Sequence, residues 1–163
     1  MSAYITTGFV YDTHVAMDKQ AKKLLLYIKE QGRLLSAVDE VFYSEIHFAS
    51  FQLDEISIPA VLRFEKEADY KGIIWDCEEG VFAQAGLQNA AQIEQWIETL
   101  VQNAAQRLTF AYAFADQEAE IEHSPAAFAA LEDSPYALTF ARQTDNHIII
   151  RKNTWRVDGM SAR

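Results

Sequence analysis

Between residues 45 and 77 three strand-like segments follow one another with no helix between them. The first is "EIHFASFQL", in which Ile46 and Phe48 alternate with His47 and Ala49; "AVLRFEKE" and "KGIIWDC" come after it. Such runs, rich in β-branched and aromatic residues and bounded by turn residues, read as strands. A parallel pair needs a crossover of a dozen or more residues, usually a helix, whereas antiparallel strands join through short turns. A purely parallel sheet is therefore excluded, and a turn is expected near Ala68–Gly72.

Two segments have the helical period instead. Met17, Ala21, Leu24, Leu25 and Ile28 recur at helical spacing, with Lys19, Lys22, Lys23 and Lys29 mostly off that stripe. Asp12 and Thr13 offer capping oxygens before this helix, expected over roughly 14–31, and Gly32 is a natural residue to follow its end. The second helix is expected over Leu87–Leu108, with Ile93, Trp96, Ile97, Leu100, Val101 and Ala104 on one face. A short third helix should start at Ser124-Pro125, a serine cap followed by proline in the first turn, and stop near Asp133.

Tyr4 to Tyr11 and Thr109 to Ala115 read as further strands, and "SAVDEVFYS" fits either a helix or a strand. "YALTFAR" and "NHIIIRKNTWRV" flank "QTDN" and read as a hairpin. Strands joined by short turns, with few helices among them, describe an α+β domain. The expected fold is a mostly antiparallel sheet with two main amphipathic helices packed on it. No linker divides the chain, so residues 1–163 are expected to form one domain, with the last few residues free to be flexible.

Composition narrows the function. Half of the 163 residues are hydrophobic, as in a globular protein. The opening "MSAYITTGFVYD" lacks the basic start and apolar run of a signal peptide, and no window approaches 18 apolar residues. One cysteine cannot form an internal disulfide. The expected location is the cytoplasm, with no membrane contact. The net charge of −10 is unevenly spread: +2 over residues 1–33, −15 over 34–141 and +3 over 142–163. So acidic a middle repels nucleic-acid phosphates and attracts basic partners.

The lone Cys77 stands among Trp75, Asp76, Glu78 and Glu79. In a strand, Ile73, Trp75 and Cys77 share one face, and Ile74, Asp76 and Glu78 the other. The first face is apolar, which makes Cys77 a core residue, and the neighbouring carboxylates oppose thiolate formation. His14, His47, His123 and His147 are too scattered for a zinc site. Asp76, Glu78 and Glu79 lack the spacing of a calcium loop. No nucleophile elbow, dinucleotide loop or phosphate loop is present. "DQEAEIEH" at 116–123 reads as a solvated acidic edge. The sequence calls for no catalytic residue, no metal and no cofactor.

A compact acidic domain without a reaction motif points to binding. Acids are densest from 65 to 79, with six against two lysines: Glu65, Glu67, Asp69, Asp76, Glu78 and Glu79. With Asp39, Glu40 and Tyr70 they form the expected partner-binding surface. Tyr43, Phe82 and Trp155 are further candidate aromatic anchors. The segments "YITTGFVYD", "AMDKQAKKLLLYIKEQG" and "LLSAVDEVFYSE" give a strand, an amphipathic helix and a Leu-Asp-Phe type segment. In this layout the chain resembles the bacterial immunity proteins that neutralise polymorphic or contact-dependent toxins. The resemblance implies a cognate protein toxin, often a basic nuclease, whose active site is blocked or distorted. Two other functions fit the same features: an adaptor or chaperone for a secreted effector, and a carboxylate- or metal-dependent hydrolase. The oligomeric state stays open.

Overall fold

The computed structural model describes residues 4–30, 46–53 and 55–155. The segment "SAVDEVFYS", Gly32, Asp39, Glu40, Tyr43 and the last few residues lie outside them. The elements run β1 (Tyr4–Tyr11), α1 (Met17–Glu30), β2 (Ile46–Leu53), β3 (Ile56–Lys66), β4 (Lys71–Glu78) and α2 (Glu79–Gln84). α3 (Ala90–Ala105), β5 (Tyr112–Gln117), α4 (Pro125–Ala129), β6 (Leu138–Arg142) and β7 (Ile148–Lys152) follow. The seven strands among the described residues form one antiparallel sheet in the order β2-β3-β4-β1-β5-β6-β7. The α+β reading and its antiparallel sheet are what the molecule has.

β1 is first in the chain and fourth in the sheet. It pairs Ile5 with Cys77 on one side and with Gln117 on the other. The larger core lies on the face that carries Ile5, Phe9, Trp75 and Cys77. Trp75 stands at its centre, 4.8 Å from Phe9 edge to face and 4.0 Å from Phe51, ring centre to ring centre. Met17, Ala21, Leu24 and Ile28 of α1 and Ile93, Ile97, Leu100 and Val101 of α3 complete it. Both expected helical stripes are therefore buried.

Local chemistry fixes the ends of these elements. Asn89 caps α3 by accepting from the Gln92 N–H at 2.9 Å, and the Gln92 side chain accepts from the Gln88 N–H at 2.8 Å. At the other end of α3, Arg142 of β6 reaches back to three carbonyls. Its Nη2 donates to Ala105 and Leu108 at 3.1 and 2.7 Å, and its Nε to Phe110 at 2.9 Å. A cation there offsets the negative end of the helix. The short α2 was not expected from the sequence. It ends where Gly86 takes φ 91° and Leu87 N–H bonds to Phe82 C=O at 2.8 Å, the glycine-capped reversal that ends many helices.

Several expectations need correction. β5 begins at Tyr112, not Thr109: the Thr109 N–H is taken by the Gln20 side chain, and bonding to β1 starts only with the Ala111 N–H to Val10 C=O. α4 starts as expected, with Ser124 Oγ accepting from the Ala127 N–H, but stops at Ala129 rather than near Asp133. Its last turn tightens to i→i+3 bonds, Ala130 N–H to Ala127 C=O at 3.2 Å and Leu131 N–H to Phe128 C=O at 3.1 Å, and Tyr136 then reaches back to the segment over the sheet, its hydroxyl donating to Glu120 C=O at 2.8 Å. Residues 116–123 are not a sheet edge. β5 is an inner strand, and Asp116 is wholly buried, accepting from the Ala137 N–H at 3.1 Å.

The second face of the sheet is not simply solvated either. Residues 118–136 fold over its middle and bury Ala119, Ile121 and Tyr136 against Val10, Ile74, Tyr112 and Phe114. Tyr112 stacks on Phe128 and Phe114 on Tyr136, with centroids 3.8 and 4.0 Å apart. Two glycines make room. A Cβ at Gly8 would lie 2.4 Å from the Phe114 ring, and one at Gly72 would lie 2.2 Å from Ile121 Cδ1.

Overfilling that space should be costly. Gly8→Val should lower stability by roughly 1–3 kcal/mol, read as an earlier urea midpoint at an unchanged slope. Cys77 is 2% exposed, and burial, reinforced by the Asp76 charge, pushes its thiol well above the ordinary range. Native protein should resist thiol alkylation until it unfolds; fast modification under native conditions would contradict its place in the core.

Candidate functional site

The acids of residues 65–79 are displayed by one hairpin and the helix that follows it. β3 and β4 pair up to Lys66 and Lys71, and the Glu67 N–H closes the turn on Tyr70 C=O at 2.9 Å. Glu67 and Asp69 project from this tip into solvent, and Tyr70 is half-buried beside them. Its hydroxyl donates to Ile121 C=O at 3.4 Å, which turns the ring towards the segment covering the second face.

That segment adds carboxylates which the sequence list lacked. Along residues 118–122, Glu118, Glu120 and Glu122 are exposed, while Ala119 and Ile121 are buried between them. Burial first, then the charges of Glu65, Glu67, Asp69 and Glu120, push the Tyr70 phenol up to about 12. One phenol thus sits in the field of four carboxylates drawn from two separate parts of the chain. Glu65 feels the same crowding. Burial raises its pKa most, Arg63 opposes this, and Glu120, Glu67 and Asp76 add to it.

Asp76 is differently placed. It points to the second face, as the period of two requires, but it is already engaged. Thr6 Oγ1 donates to it at 2.7 Å and Arg63 Nε at 3.1 Å, and its side chain is 18% exposed. Arg63 also approaches Glu65 at 3.4 Å. A depression of about 240 Å³ opens here, lined by Tyr4, Thr6, Arg63, Asp76, Glu118 and Glu120. Glu78, exposed, and Glu79, half-buried, lie at the far end of β4. Glu79 accepts from Gln117 Nε2 at 3.0 Å.

The structure therefore gathers Glu65, Glu67, Asp69 and Tyr70, adds Glu120, and sets Glu78 and Glu79 apart, with the Arg63–Asp76 pair between the two groups. Two candidate anchors are core residues instead. Phe82 is 1% exposed and packs edge to face on Trp96, with centroids 5.8 Å apart. Trp155 is 4% exposed, its Nε1 donating to Glu94 Oε1 at 2.7 Å. Both large rings reach the main core, one from α2 and one from three residues beyond β7, so neither is free to enter a partner. Among the described residues no three or more His, Cys, Asp or Glu are grouped to hold a metal ion. None of the described helices is long and apolar enough to cross a membrane.

This surface offers negative charge, hydrogen-bond acceptors and an aromatic ring. It suits recognition of a cationic group and presents no activated nucleophile. The family model for Immunity protein 64 matches residues 29–163, which takes in every strand but β1. No curated protein and no solved structure matches the chain. The match covers most of the sequence, and the chain accordingly belongs to the Immunity protein 64 family, whose members serve in immunity against a toxin partner.

Proposed function

We propose that this immunity protein neutralises a cognate, basic, nuclease-like toxin by binding it through the acidic tip of the β3–β4 hairpin. It acts in the cytoplasm, by binding rather than by catalysis. The observation that carries this reading is the half-buried Tyr70 in the field of Glu65, Glu67, Asp69 and Glu120. A lysine or arginine of the toxin entering there meets several carboxylates, and the partly desolvated ring supplies an anchor. Long-range attraction speeds the encounter, since the middle of the chain is strongly acidic. Glu78 and Glu79 extend the surface along β4, and Asp39 and Glu40 remain candidates on charge alone. Asp76 is already held by Arg63, which also pairs with Glu65 at 3.4 Å, so the exposed acids Glu67 and Asp69 carry the outward charge of the tip.

The adaptor reading would use a different place, an open groove of about 470 Å³ along α3 lined by Ile56, Leu87, Ala91 and Trp96. Family membership favours the first reading.

The test follows from which acids are free. Reversing Asp76 would break its bonds to Thr6 and Arg63, so the informative variant is Glu67→Lys with Asp69→Lys. Both side chains are exposed, and such surface changes usually move stability by less than about 0.5 kcal/mol. Affinity for the toxin, captured from native cells and measured by titration calorimetry, should fall roughly tenfold or more. Association with the unaltered protein should slow as salt rises, because the screening length shrinks from ~10 Å at 0.1 M to ~3 Å at 1 M. Glu132→Lys, on another exposed acid, controls for charge. A double variant that binds as well as the unaltered protein, with no salt effect, moves the interface elsewhere.

A further inference from the structure

β7 closes one end of the sheet, and its hydrogen-bonding phase shows what it leaves open. In an antiparallel pair, opposite residues alternate between those that exchange both backbone bonds and those whose N–H and C=O point away from the partner strand. Gln143 N–H donates to His147 C=O at 2.8 Å, and Asn153 N–H to Ala137 C=O at 2.8 Å. Counting inward from both, Ala141 with Ile149 and Thr139 with Arg151 are bonded pairs. The pairs Arg142 with Ile148, Phe140 with Ile150 and Leu138 with Lys152 are not. Ile148, Ile150 and Lys152 therefore aim their N–H and C=O groups outward, along an edge that no other described strand covers.

Edges of this kind are normally blunted by charge, proline or a bulge. β7 has no proline, and its lysine is turned aside: Lys152 Nζ lies 2.7 Å from Glu98 Oε1 and 3.9 Å from Glu94 Oε2 of α3. What remains is a run of three isoleucines, with Ile149 39% exposed, and the exposed cation Arg151. The order Ile-Ile-Ile-Arg-Lys has a further property. Paired antiparallel with itself about Ile150, it sets Ile148 against Lys152 and Ile149 against Arg151, so no cation faces a cation directly. Every outward N–H and C=O then finds a partner, each opposing pair exchanging both bonds. A basic partner strand would instead meet Arg151 and Lys152.

We propose that β7 is a self-association edge, at which a second copy of this chain adds its own β7 antiparallel about Ile150. The contact is isologous, so it closes at a dimer. It leaves the hairpin tip of β3 and β4 at the other side of each sheet, and it stands whether or not that tip binds the toxin.

Sedimentation velocity of the full chain across a concentration series should show reversible dimerisation. Ile149→Glu places a carboxylate opposite Arg151 of the other copy twice per dimer and should tighten it roughly two- to thirtyfold; Ile149→Arg should loosen it by a similar factor. Ile150→Pro removes an outward N–H that the chain itself does not use, a position where an edge strand tolerates proline, and should leave a folded monomer. If that variant fails to fold, the opposite effects at Ile149 still decide the question. A wild-type chain that stays monomeric throughout overturns the proposal, as does a dimer indifferent to both Ile149 changes. A monomer whose toxin affinity drops with Ile149→Arg gives the edge to the toxin instead.

Discussion

The sheet depends on β1 holding its centre. A strand with neighbours on both sides must satisfy two registers at once, and residues 5–10 do so against β4 and β5 together. A one-residue slip would turn Ile5, Phe9 and Tyr11 away from the helices and drive Thr6 and Val10 into the main core. It would also move Gly8 from beneath Phe114, where no side chain fits. Because β4 takes its register from β1, the height at which the β3–β4 hairpin presents Glu67, Asp69 and Tyr70 is set from the middle of the sheet. The pairing joins residues about as far apart as Ile5 and Gln117, so the sheet's centre closes only when distant segments meet. Such topologies fold more slowly than locally connected ones.

The second face converts that register into an acidic surface. Gly8 and Gly72 lower the sheet locally, which lets Phe114 and Ile121 pack close to the backbone. The covering segment can then run near β4 with Ala119 and Ile121 down and Glu118, Glu120 and Glu122 up. Glu120 arrives beside Tyr70 because Ile121 is buried there and its carbonyl receives the Tyr70 hydroxyl. Packing and charge are thus coupled: the small aromatic core under residues 118–136 is what brings a second set of carboxylates to the hairpin. The Arg63–Asp76 pair adds a fixed polar contact between β3 and β4. Its net worth in stability is modest for a partly exposed pair, and its effect on orientation is the more consequential one.

Elements with a strong period were legible in the sequence. The stripes of α1 and α3, the β6–β7 hairpin around its Gln-Thr-Asp-Asn turn, and the alternation that buries Cys77 all follow from side-chain spacing. Asn146 in that turn takes φ 65°, a conformation that asparagine tolerates better than most residues. The fate of the second face was not legible, because Ile74 beside Asp76 reads as a strand with a polar outer side when its cover lies some forty residues away. A signal was present in the glycines at 8 and 72, since glycine inside a strand often marks close approach of another segment. The alternation from Glu118 to Glu122 also carried the period of a half-buried strand. Phe82 and Trp155 misled for a simpler reason: proximity in sequence to charge says nothing about which way a ring points. The carboxylates of 65–79 were legible as a charge run but not as two groups, because only pairing shows that Asp76 is engaged while Glu67 and Asp69 are free.

Charge is distributed along the sheet as well as along the chain. The β3–β4 hairpin carries exposed carboxylates, while the β6–β7 hairpin carries Arg142, Arg151 and Lys152. Two of these three are held internally, Arg142 by the carbonyls that end α3 and Lys152 by Glu94 and Glu98. The positive end is therefore spent largely on the protein's own helix, and the negative end faces outward. A cationic partner feels the difference: it is drawn toward the hairpin tip and repelled weakly by β7. Under the proposed reading, that asymmetry would orient a basic toxin before any contact forms, and orientation is the step that holds most protein association below the diffusion limit. The same arrangement separates the two surfaces physically. A contact made along β7 is built from backbone groups and isoleucines, which salt screens little. A contact made at Tyr70 is built from charge, which salt weakens.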